Sequence, residues 1–207
     1  MMNKQDFKIA GTVLVKYTGK DSEVIIPQGI TEIGEEAFMT CSRVQSVVIP
    51  NSVVKIGKRA FWLCTGIKSV DIPRSVVELG AEAFGFCTRL EFVVLHDGVR
   101  VIGHAAFEFC SELRYVIMPH SVEKIGVGAF AECEKLTSIE IPESVTVIEN
   151  GAFTGCNALE SVYIPGSVKK LGAYAFGRCA NLHSVTVSEC AEGIDEHAFI
   201  ECPKLNG

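Results

Sequence analysis

The reactive side chains of this chain are nine cysteines, five histidines and a scatter of carboxylates, and their spacing decides what chemistry is open to them. Close cysteine pairs such as CxxC hold zinc, and irregular sets in small secreted domains form disulfide frameworks. Neither pattern is present. The nearest pair, Cys179 and Cys190, is eleven residues apart, and the other eight positions follow a constant interval: 41, 64, 87, 110, 133, 156, 179 and 202. Thiols set out this way read as small hydrophobes in a repeating core. A ladder of reduced thiols suits a reducing setting better than an oxidising one. The histidines, at 96, 104, 120, 183 and 197, share no repeat position. His96 and His120 follow neighbouring strand segments, with Asp97 beside the first, a combination that reads as solvated loop rather than metal centre. Asp71 and Glu140 are carboxylates on one expected face. Three repeats separate them, about 14 Å at ordinary strand spacing, which is wider than the roughly 5–9.5 Å of glycosidase pairs. No glycine-rich phosphate loop occurs. The expectation is a non-enzymatic protein without cofactor or metal.

The 23-residue interval runs through the whole chain. Phe stands at 38, 61, 84, 107, 130, 153, 176 and 199, three residues before each cysteine of the series, without insertions. A fixed period of this length marks a solenoid in which each repeat stacks on the next. Within one repeat, Ser46-Val47-Val48-Ile49 is short and β-branched and is followed by Pro50, so it reads as a strand with Val47 and Ile49 inward. Ser52 and its equivalents can bond turn backbone. Gly57, recurring as Gly34, Gly80, Gly103, Gly126 and Gly172, suggests a backbone angle other residues dislike. Ala60, Phe61, Cys64 and Ile67 follow helical spacing. Each repeat is therefore expected to be strand, turn, short extended piece and short helix.

At 207 residues, 48% hydrophobic and with a mean hydropathy of +0.29, the chain is apolar because every turn buries several side chains. No apolar run approaches the ~18 residues of a membrane span, and the first residues lack the apolar stretch of a signal peptide. Net charge is −6 with acids and bases interspersed, so nucleic acid is an unsuitable partner. Residues 1–23 contain two alternating segments around Gly11, expected to be a β-hairpin cap. Residues 24–207 are expected to be the solenoid of eight repeats, one structural domain overall. An open strand edge at the far end favours end-to-end association.

The repeats LTSIEIPESVTVIENGAFTGCNAL (136–159) and LESVYIPGSVKKLGAYAFGRCANL (159–182) resemble the BspA-like leucine-rich repeat family over residues 24 to 205. The resemblance implies an α/β solenoid: a right-handed superhelix with a parallel concave β-sheet and short strands and helices on its other sides. It also implies a binding or adhesion role at the surface of bacteria or some protists, and no catalytic residues. Cell-surface or secreted placement follows from the resemblance, cytoplasmic placement from the visible N-terminus if the chain is complete. His96 and Ser188 replace the repeat's Pro, and Glu149 and Asp195 its Gly, changes expected to loosen their turns.

Strand residues pointing away from the core form two columns on the concave face. One reads Glu23, Ser46, Ser69, Phe92, Tyr115, Ser138, Ser161 and Ser184; its neighbour reads Ile25, Val48, Asp71, Val94, Ile117, Glu140, Tyr163 and Thr186. Phe92, Val94, Tyr115 and Ile117 make an aromatic–aliphatic cluster rimmed by Asp71, Glu140 and Tyr163, with Glu91 and Arg114 nearby. Such a cluster suits a protein or peptide ligand, on a cell-surface adhesin or an intracellular scaffold. A glycan is the alternative, because Tyr115 and Tyr163 beside Glu140 and Asp71 offer rings and carboxylates.

Overall fold

A computed structural model describes residues 6–205 of the chain. The repeats wind into a β-solenoid whose turns meet along two ladders of parallel strands. One is built from two-residue strands: β4 (Glu32–Ile33), β6 (Lys55–Ile56), β8 (Glu78–Leu79), β10 (Val101–Ile102), β12 (Lys124–Ile125), β13 (Val147–Ile148) and β15 (Lys170–Leu171). It begins with β1 (Phe7–Ala10) and β2 (Val13–Tyr17), an antiparallel hairpin whose second strand pairs in parallel with β4, and runs in the order β1-β2-β4-β6-β8-β10-β12-β13-β15. The other ladder uses the longer strands and is split in three. These are β3 (Glu23–Ile25) with β5 (Ser46–Val48), then β7 (Ser69–Ile72) with β9 (Phe92–Leu95) and β11 (Tyr115–Ile117), then β14 (Ser161–Ile164) with β16 (Ser184–Val187). Residues 138–141 join no strand.

The short helices expected around Ala60, Phe61 and Cys64 are not there; no α-helix occurs among the described residues. The physical reason lies in alternate backbone hydrogen bonds. The N–H groups of Arg59, Phe61 and Leu63 donate to Ala81, Ala83 and Gly85 of the next repeat at 2.9, 2.7 and 2.9 Å. Those of Ala60, Trp62 and Cys64 reach back three residues, to Gly57, Arg59 and Phe61, at 3.2, 3.0 and 3.1 Å. Half the donors a helix needs are thus committed to the neighbouring turn. Arg59 and Leu63 also have left-handed φ of 53° and 58°, which costs each non-glycine residue about 1–2 kcal/mol and interrupts any helix. Consecutive turns with one side-chain pattern mimic helical periodicity.

The core is a file of stacked rings. Phe38, Phe61, Phe84, Phe107, Phe130, Phe153 and Phe176 are fully buried. From Phe61 to Phe176 neighbouring centroids are 4.8–5.5 Å apart and nearly parallel. Burying each ring is worth about 1.5–3 kcal/mol. The cysteines form the second file. Each thiol from Cys64 to Cys202 donates to the carbonyl of the Phe 26 residues before it, at 3.0–3.4 Å. All nine cysteines are free. Burial pushes the ladder thiols up, Cys179 to about 12, so they carry no thiolate at neutral pH. Cys190, outside the file, is exposed.

The recurring glycines have a different cause from the one expected. Gly57 and Gly103 do not have positive φ. A Cβ at Gly57 would sit 2.8 Å from the Glu35 nitrogen and 2.9 Å from the Gly34 carbonyl carbon. At these glycines the preceding turn approaches too closely for a side chain, which is the other use of glycine.

Three of the four substitutions expected to loosen turns, at His96, Glu149 and Ser188, gain bonds there. His96 and Ser188 have the N–H that Pro lacks, and they donate to Ile72 and Ile164 at 3.1 and 3.0 Å, extending their ladders by one bond. Glu149 binds the ammonium groups of Lys124 and Lys170, each at 2.6 Å. Hydrogen bonds from the two lysines hold its carboxyl below the usual range. A group whose folded pKa is depressed contributes stability above its unfolded value, about 4.3, and loses it as pH falls through the folded value. Glu149→Gln is therefore expected to cost about 1 kcal/mol at pH 7 and progressively less under acid. Urea unfolding from pH 3 to 7 checks this; an undiminished deficit at pH 3 would contradict it.

Ser52 and Ser121 accept hydrogen bonds from Gly29 and Gly98 at 3.2 and 3.0 Å, linking turn to turn. Ser121 and Ser144 donate to Val99 and Val122. The hydroxyls of Ser75 and Ser167 are buried without a partner.

Candidate functional site

The strand face carries the residues selected from the sequence, and the ladder registers them. Tyr115 pairs with Phe92 and Ile117 with Val94; Phe92 in turn pairs with Ser69 and Val94 with Asp71. Alternation along each strand sends Val93, Leu95 and Val116 into the core and leaves the other side chains outward. The Phe92 and Tyr115 rings stack at 5.9 Å with an angle of 11° between planes. Phe92 is 44% exposed, Tyr115 51% and Ile117 61%, while Val94 is half-buried between them. β7, β9 and β11 form one unbroken ladder beneath this cluster, so a rigid backbone presents it.

The rim residues also meet neighbours outside the cluster. Asp71 turns to His96, whose Nε2 lies 2.9 Å from its Oδ1. That pair borders an open hollow of about 450 Å³ at the break between β5 and β7, shared with Asn51 and Arg74. Glu140 and Tyr163 line another hollow, of about 360 Å³, with His120 and Ser161, where residues 138–141 leave the ladder. His96 thus faces Asp71 rather than His120 or Asp97, and no group of three potential metal ligands occurs among the described residues. Among the described residues no helix is long and apolar enough to cross a membrane.

Sequence reasoning missed a second aromatic set on the turn segments, with Trp62 and Phe86 half-buried and Phe109 exposed. Trp62 and Phe86 meet edge to face at 5.7 Å, and Phe86 stacks on Phe109 at 4.7 Å. Trp62 precedes its column by one residue, which hid the row from a search restricted to outward strand positions.

A parallel β-solenoid with one Phe and one Cys stacked per turn defines a leucine-rich-repeat protein. The chain belongs to the BspA-type leucine-rich repeat family: the family's six-copy repeat model matches residues 14–134 and 80–206. Among solved structures it is similar to the Treponema pallidum leucine-rich repeat protein TpLRR, at 29% identity and a TM-score of 0.70, over 99% of this chain and 90% of that one. A leucine-rich repeat protein from Eubacterium ventriosum is 25% identical with a TM-score of 0.76, over 80% of this chain. The match takes in 45% of that protein's length. The pneumococcal vaccine antigen PcpA, 21% identical with a TM-score of 0.54 over 88% of this chain and 56% of that one, shares the fold. No curated protein matches the chain in sequence.

Proposed function

We propose that the chain is a non-catalytic binding module that takes a protein or peptide ligand on its strand face, centred on Phe92, Val94, Tyr115 and Ile117. The observation that carries this reading is the stacked Phe92–Tyr115 pair, half open to solvent on a continuous ladder. Large, stiff aromatic side chains lose little entropy on binding and dominate the energetic centres of interfaces. The surrounding column is mostly serine, so the pair is an isolated apolar feature with a polar margin. An adhesin or a scaffold would use such a face in the same way. The N-terminal hairpin acts as the cap, since its β2 covers the edge of β4.

A glycan reading is favoured by one feature, the hollow lined by Glu140, Tyr163 and His120. Display of a peptide library beside an array of immobilised glycans separates the two. The peptide reading expects selected sequences rich in apolar residues that compete for one saturable site. Selective capture of glycans, lost in Tyr163→Ala and retained in Phe92→Ser, would overturn it.

A further inference from the structure

Leu63, Phe86 and Phe109 occupy the second position after the core Phe in three successive repeats. All three have left-handed φ, between 56° and 58°. The same position holds Thr40, Glu132, Gly155, Arg178 and Glu201 in the other repeats. Large apolar residues are the least comfortable occupants of such a backbone, and the fold does not require them, since polar residues and glycine serve elsewhere. Phe109 is nevertheless 40% exposed. One face of its ring is stacked on Phe86, and its other neighbour in the column is Glu132.

The charges around this stripe are lopsided. Arg59 lies over the Trp62 ring and is tied to Glu82 at 2.7 Å. Glu108 and Glu132 have no ion-pair partner among the described residues. The Glu132 carboxylate lies against Gly155. Glu108 is half-buried. Its carboxyl is raised by desolvation; His104 opposes the rise, and Glu82 and Glu132 add to it. His104 engages the Val127 carbonyl at 3.0 Å through Nδ1. An exposed ring whose neighbours in the column and in the chain carry unpaired carboxylates is an arrangement that attracts a cationic side chain.

We propose that the stripe of Trp62, Phe86 and Phe109 docks a basic segment of a partner protein, with an arginine or lysine head on the outer face of Phe109 and its charge against Glu108 and Glu132. Charge decides the occupant. A second copy of this chain would bring like charge to an acidic patch on a protein of net charge −6, and nucleic acid would be repelled. The surface is separate from the strand face and stands whether or not that face binds a ligand.

Trp62 is the chain's one tryptophan, so its emission reports directly on the stripe. The experiment titrates the full chain with a ten-residue peptide alternating arginine and glycine, and with glutamate–glycine and serine–glycine counterparts. The expected result is a saturable change with the arginine peptide alone, weakened by salt. Phe109→Ser, which leaves the charge untouched, is expected to weaken binding about tenfold or more, and Glu108→Gln about fivefold or more. Phe92→Ser/Tyr115→Ser should bind as wild type. Thermal melts within about 2 °C of wild type confirm that these exposed substitutions leave the fold intact. An equal response in Phe109→Ser would reduce the effect to general acidity and overturn the proposal. So would the lack of a saturable response, or a peptide-free dimer in sedimentation that Phe109→Ser abolishes.

Discussion

Phe107→Ala is expected to destabilise the protein by about 3–5 kcal/mol, the cost of emptying a fully packed aromatic site. At this chain length that is a fall in melting temperature of about 6–20 °C. Phe107 has no solvent exposure, and it stacks between Phe84 at 5.5 Å and Phe130 at 5.3 Å. Its backbone is held to the following turn: its N–H donates to Ala129 at 2.8 Å and its carbonyl accepts the Cys133 thiol at 3.3 Å. The surroundings therefore have little freedom to collapse into the vacancy, which places the cost in the upper part of the range. Among the described residues Phe199 stacks only on Phe176, at 5.6 Å, and is partly buried. Phe199→Ala should cost clearly less. Denaturant midpoints of the two variants against wild type check the ordering; equal losses, or a loss under about 1 kcal/mol at Phe107, would mean that the ring file is not the main support of the stack.

Phe92→Ser/Tyr115→Ser is expected to abolish most ligand affinity while leaving stability nearly unchanged. Both rings are about half exposed and contribute little to the core, so the melting temperature should stay within a few degrees of wild type. Aromatic anchors at the centre of an interface typically contribute 2 kcal/mol or more, which is roughly thirtyfold in dissociation constant. Losing two stacked anchors should exceed that figure. Val94→Ser provides the graded comparison, since Val94 is half-buried between its neighbours and offers less surface. Titration of a peptide selected on the wild-type chain measures all three. Unchanged affinity in the double variant would move the binding surface away from the strand face.

The ring and thiol files were legible because Phe and Cys recur at one interval and burial explains both. The outward columns were legible for the same reason: a strand's two-residue period, once phased on Val93 and Leu95, fixes which way Phe92 and Val94 point. The turn segments were not. Ala60, Phe61 and Cys64 satisfy helical spacing, but a side-chain pattern does not reveal that alternate N–H groups bond to the next repeat. Nor does it reveal left-handed φ at Arg59 and Leu63, since neither is the glycine that would signal it. The glycine column was visible as a constraint, while its cause, the approach of one turn to the next, needed the stacked geometry. The second contacts of the rim were not legible, because flat columns ignore neighbouring loops. His96, standing where most other repeats have Pro, pairs with Asp71 at the border of a hollow.

The proposed ligand lies on Phe92 and Tyr115. Hydroxyl-radical footprinting of the chain, with and without the tightest peptide from the display selection, tests this placement most directly, because oxidation of aromatic side chains follows their exposure. Phe109 and Tyr174, 40% and 41% exposed on the turn segments, serve as internal references. The predicted result is strong protection of Phe92 and Tyr115 on binding, with Phe109 and Tyr174 unchanged. Protection confined to Phe109 or Tyr174, with Phe92 and Tyr115 oxidised as in the free chain, would contradict this placement.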